Sequence, residues 1–328
     1  MSEPRDRGPS VFSLLFRSPL SFFVLCSLTF MATLLLLGGA SLDTLTLWDS
    51  RQTRLWNMLL ALHPTVWVAS LLIVSGDLAG HHPVWPRRWR GRLTAGLCTL
   101  LILGMTAVPI MIQFIIPPFP SSVNTELVTG IPAYRAKMFL LNLCGTVIGT
   151  LHACGMFSVH VQLIGCLSEY RARPEATGVE ELEQDVLHYQ RLRSQLKRFL
   201  TVSAAIIGLT IVGASVFRGL LLAAYPSLPE VFPASTLMSF GLYLTGLLAS
   251  VYLPAHKTLT DVGQMLTDRL LQRSLGPRST WKQWLQEQQA IQTYLGLQGS
   301  ALQELQQVLT LLTPFLASLS SLASGLGT

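Results

Sequence analysis

The sequence predicts an all-α fold: a polytopic membrane protein with six transmembrane helices, N and C termini in the cytosol, and a helical cytosolic tail. Three observations carry that prediction. Half of the 328 residues are hydrophobic and only 12% are charged, which is too apolar for an ordinary water-soluble domain of this length. The apolar residues gather in six runs, each close to the ~20 residues needed to cross a hydrocarbon core. With the N-terminus placed inside, eighteen of the 23 Lys and Arg residues fall in segments that this topology assigns to the cytosol, as the positive-inside rule requires. The chain then divides into a cytosolic N-terminal segment (1–18), a membrane domain (19–255) that includes a cytosolic helix at about 180–198, and a tail for assembly (256–328).

The first span, Pro19 to Leu37, is followed by Gly38, Gly39, Ala40 and Ser41, which resemble a signal-peptide cleavage site. The apolar run exceeds the ~7 to 15 residues of a typical signal core, so it is read as a span. The second runs from Leu55 to Ser75, carries His63 and Pro64, and ends at Gly76 and Asp77. A basic, Trp-bearing loop holding Arg87, Arg88, Arg90 and Arg92 follows; it suits a headgroup interface and is the candidate lipid-binding segment. The third span, Leu93 to Ile116, is stopped by Pro117, Pro118 and Pro120, which cannot donate backbone hydrogen bonds.

The fourth run, Met138 to Cys166, is the longest and the most polar inside. Past it, Thr177 and Glu180 have capping-box spacing, so a helix is expected to start there. Acidic residues open that helix (Glu180, Glu181, Glu183) and basic ones follow (Arg191, Arg193, Lys197, Arg198), in the order the helix macrodipole favours. No Gly or Pro separates it from the fifth span, Phe199 to Tyr225, so one rod of roughly 70 Å is expected. The sixth span, Ala234 to Leu253, continues at helical spacing through Leu259, Val262, Leu266 and Leu270 to Gly276 and Pro277. Thr280 and Gln283 form a second capping box, and the tail begins.

Trp281, Trp284, Gln288, Ile291, Leu295, Gln298, Leu302, Leu305, Leu309, Leu312, Leu316, Leu319, Ala323 and Leu326 alternate at spacings of three and four, the seam of packed helices. Gly296, Gly299 and Pro314 interrupt it, so two or more packed segments are expected, buried against the extensions of the fifth and sixth spans. Trp281, Trp284, Leu302, Leu305, Leu309, Leu312, Leu316 and Leu319 are the candidate assembly residues.

For function, the spans as bounded above contain no Asp or Glu, which counts against proton- or sodium-coupled transport. Arg218 is the one clear charge within a span. In the fourth span, Asn142, Thr146, Thr150, His152, Ser158 and His160 are the candidate pore-lining residues. His152 and His160 stand ~12 Å apart along the helix, too far to share a metal ion, so no metal or cofactor is expected. Phosphate-loop, zinc-protease and serine-hydrolase motifs are absent from the sequence, and no enzyme activity is expected. Cys26, Cys98, Cys144, Cys154 and Cys166 lie in or beside apolar runs, so no disulfide framework is implied. Basic residues flank spans rather than lining a soluble face, which points to anionic lipid rather than nucleic acid. These features predict a homo-oligomeric channel or pore in the cell membrane (the inner membrane of a bacterial cell), assembled and gated by the tail. The alternatives are a scaffold whose tail recruits a cytosolic protein or small ligand, and a transporter or intramembrane enzyme without a recognisable motif.

Overall fold

The computed structural model describes residues 18–38, 51–80, 83–86, 88–115, 123–172, 178–225, 233–274 and 280–297. In chain order the helices are α1 (Pro19–Gly38), α2 (Arg51–Ala79), α3 (Trp89–Ile115), α4 (Thr125–Thr129), α5 (Tyr134–Ala172), α6 (Val179–Ala224), α7 (Ala234–Ser274) and α8 (Trp281–Leu295). Among the described residues there is no strand. All but α4 and α8 are long and apolar enough to cross a membrane. The protein is therefore an all-α polytopic membrane protein with six spans among the described residues.

The spans alternate in direction, so the bundle has two distinguishable ends. At one, the Lys137 ammonium donates to the carbonyl of Leu37 at 3.0 Å, satisfying a backbone acceptor that the end of α1 leaves free. The phenol of Tyr225 accepts from the Asn124 amide at 3.0 Å. Between them lies α4, a short helix within a stretch the sequence presents only as a Pro-, Ser- and Thr-rich connection. Its ends explain it: Asn124 Oδ1 accepts from the amides of Glu126 and Leu127, and Gly130 closes the turn at φ 66°, a conformation that costs glycine little.

At the other end α5, α6 and α7 do not stop where the membrane stops. They contain 39, 46 and 41 residues, about 58, 69 and 62 Å at 1.5 Å per residue, against a hydrocarbon core of about 30 Å. The surplus lies on one side and forms, with α8, a helical extension. A single apolar core runs through both parts: Met156, Phe199, Leu200 and Val251 on the membrane side continue into Tyr170, Leu182, Tyr189, Leu192, Leu266 and Leu295 beyond it. Helix α6 is the axis, packing against α2, α5 and α7. Of its most apolar stretch 56% is buried, against 11% for α1 and α3, which leaves those two to face lipid.

Glycines let the bulkiest side chains in. A methyl group on Gly155 would meet the Phe199 ring at 2.5 Å, and one on Gly145 would meet Trp67 at 2.9 Å. Gly145 thus holds a side chain of α2 within this subunit.

Two sequence expectations change, and the expected break at Gly296 is present. Helix α2 runs through Asp77 to Ala79, so a carboxylate does sit in the last turn of a span. Helix α6 begins at Val179 with Gly178 as its N-cap and no side-chain cap bond; Thr177, the expected cap, lies outside the described residues. The capping box at Thr280 and Gln283 is present in full, but α8 ends at Gly296, whose φ of 68° takes the backbone out of the right-handed helix. The rest of the heptad pattern, from Gln298 onward, lies outside the described residues.

Candidate functional site

The polar groups concentrate where the membrane domain meets the extension. Arg198 of α6 grips Asp77 of α2 with two bonds, Nε to Oδ2 at 2.8 Å and Nη2 to Oδ1 at 2.7 Å. The Asp77 side chain is 9% exposed and that of Arg198 43%. Two parallel charge-assisted bonds fix orientation as well as distance. Arg198 also reaches Ser194 Oγ at 3.3 Å, one turn earlier on its own helix.

From Asp77 the chain folds back onto α5. The Val84 amide donates to the Asp77 carbonyl at 2.8 Å, the Trp85 indole to Leu78 O at 2.8 Å, and the Gln162 carboxamide of α5 to Val84 O. Gly91 completes the closure, because a methyl there would meet Pro86 and Val161 at 2.9 Å. On the outside of this loop Arg90 lies over the exposed Trp89 ring at 5.9 Å. Arg88 pairs with Glu169 at 3.2 Å, and Arg92 Nε donates to Pro86 O at 2.9 Å. Of the four candidate lipid-binding arginines, Arg88, Arg90 and Arg92 are exposed on one rim; Arg87 lies outside the described residues.

On the other side of α5, His160 meets Thr258 of α7 at 3.3 Å, while Thr258 also reaches Pro254 O at 3.0 Å. A hydroxyl has one hydrogen to give, and a carbonyl can only accept, so Thr258 donates to Pro254 and the proton of the contact sits on His160 Nδ1. Deeper into the extension the Arg269 guanidinium donates to the Tyr170 carbonyl, and the Tyr189 hydroxyl donates to Leu295 O at 3.5 Å.

The candidate pore residues do not share one surface. Asn142 is exposed, Thr146 and His160 are half-buried, and Thr150, His152 and Ser158 are buried within the subunit. The His152 ring packs edge-on to Phe199, 6.2 Å between centroids, and the Thr150 and Ser158 hydroxyls have no hydrogen-bond partner among the described residues. His63 stands apart on α2, its Nδ1 on Leu59 O at 2.7 Å and its ring against Gly213. Among the described residues no three His, Cys, Asp or Glu side chains converge as metal ligands would. Arg218 lies half-buried near the end of α6 away from the extension.

The tail seam is used inside the subunit. Trp284, Gln288, Ile291 and Leu295 are half-buried or buried, Ile291 and Leu295 belong to the main core, and α8 packs on α7. Trp281 is 73% exposed and stacks on Trp284 at 5.0 Å and 10°. Leu302, Leu305, Leu309, Leu312, Leu316 and Leu319 lie outside the described residues.

Sequence reasoning missed Asp77, Gln162 and Tyr189. The signal for Asp77 was present in Leu78 and Ala79, which let the helix run one more turn and bring the carboxylate level with the arginine that opens the fifth apolar run. Comparison with protein-family models, curated proteins and solved structures returns no match.

Proposed function

We propose that the chain is the subunit of a homo-oligomeric membrane channel whose helical extension sets assembly and governs conduction. The observation that supports this reading is the unbroken passage of α5, α6 and α7 from the membrane into the extension, with one core shared along the way. A partner or ligand that moves the extension therefore moves the spans. The basic rim at Arg88, Arg90 and Arg92 supports a cytosolic position for the extension. Conduction runs at the seam between copies, beside the face of α5 that carries Asn142 and Thr146, because Thr150, His152 and Ser158 are packed inside the subunit.

Ion flux from vesicles containing the purified full-length protein tests this reading. Flux that scales with protein and is altered by truncation after Leu297 is the expected result; a reconstituted protein that conducts no ion overturns it. The exposed Trp281, stacked on the half-buried Trp284, with the exposed Leu285 beside them, favours a second reading, a scaffold that docks a cytosolic protein on α8. That reading is favoured if Trp281→Ser loses a bound protein while self-association in the membrane is unchanged.

A further inference from the structure

The outward face of α5 carries a short ladder of two polar residues one turn apart, Asn142 and Thr146. Asn142 is exposed and bonds to no described residue. It sits about 7.5 Å along the helix from Lys137 and about 27 Å from His160, within the hydrocarbon thickness rather than at either rim. The ladder also departs from the habit of other span hydroxyls. Thr29, Thr99 and Thr210 each donate to the carbonyl one turn back, whereas Thr146 bonds to no described residue. Gly149 on the same face has nothing within 4 Å of where a side chain would begin, so a second helix can approach closely.

Lipid tails offer no donor or acceptor, and a carboxamide left among them forfeits the bonds it made in water. We propose that Asn142 is covered by a second copy of this chain, its carboxamide bonded to that of its counterpart across a two-fold axis. The chemistry selects this occupant. A carboxamide both donates and accepts, so it is complementary to itself, and copies inserted in one orientation present the same depth to each other. The inference rests on the self-association proposed above and locates its membrane contact.

The test is energy transfer between donor- and acceptor-labelled full-length copies in lipid vesicles, read as lipid is added to dilute the protein. Asn142→Leu is expected to raise the protein-to-lipid ratio at half-association about ten-fold, and Asn142→Gln, which keeps the carboxamide, to stay within about three-fold of the parent. Far-ultraviolet circular dichroism confirms that both variants keep their helix content. An Asn142→Leu protein that associates as well as the parent overturns the inference, as does equal weakening by Leu and Gln. Truncation after Leu297 is measured in parallel. If it abolishes association while Asn142→Leu does not, the extension reading stands and the Asn142 contact falls; the reverse result keeps the contact and removes the tail from assembly. A parent protein that is monomeric at every dilution overturns both.

Discussion

Asp77 and Arg198 meet fork to fork, at 2.7 and 2.8 Å, and so tie the last turn of α2 to the point on α6 where the membrane domain becomes the extension. Removing the arginine strands a carboxylate whose side chain is 9% exposed. Because the guanidinium is 43% exposed, water screens part of the loss. Arg198→Met is expected to cost about 2 kcal/mol, seen as a lowered midpoint of thermal unfolding in detergent. Asp77→Asn combined with Arg198→Met recovers part of that cost, because no buried charge is then left unpaired.

Gly155 and Phe199 form a tight contact between α5 and α6. Gly155→Ala places a methyl 2.5 Å from the ring, and overpacking of this kind costs about 1 to 3 kcal/mol. Phe199→Leu in the same chain relieves it, so the two changes together destabilise less than their sum, measured as a double-mutant cycle on thermal unfolding.

Leu295 is fully buried against Tyr189 and its neighbours and holds α8 to the extension. Leu295→Ala is expected to cost about 2 to 5 kcal/mol of local stability. Hydrogen exchange reads this directly: amides of Trp284 to Leu295 exchange faster, while those of α2 and α3 keep their protection.

Trp89 and Arg90 form an exposed pair on the rim, an aromatic ring and a cation suited to headgroup depth. Arg90→Ala is expected to weaken retention of anionic lipid by about five-fold, with zwitterionic lipid unaffected, given about 1 kcal/mol per basic residue near a charged surface. Native mass spectrometry of the purified protein counts the lipids retained.

The six spans were legible because a hydrocarbon core imposes a length and excludes charge, and both leave a mark on composition. The rod from Val179 to Ala224 was legible because nothing between Arg198 and Phe199 can end a helix. The capping box at Thr280 and Gln283 is local chemistry and was read as it stands. Asp77 was not read as part of its span, since composition ends a span at the first charge, whereas the helix ends where its hydrogen bonds end. The heptad seam of α8 is a real apolar stripe, but periodicity states only that a stripe must be covered. Here Tyr189 and the helix bearing Gly263 cover it, from the same chain. The ladder at Asn142 was legible as residue types; its exposure was not, because that depends on how α3, α5 and α7 are arranged around it.

A straight helix that passes through a tight contact behaves as a beam on a fulcrum. With Phe199 seated over Gly155 as the pivot, α6 has arms of about 30 Å toward Val179 and about 38 Å toward Ala224. A tilt of about 5° would move the extension end by about 2.6 Å and the far end by about 3.3 Å in the opposite sense. Were α6 to tilt as a rigid rod, displacement at the extension end would reappear at the far end, and the Asp77 clamp, bonded to Arg198 next to the pivot, would hardly move.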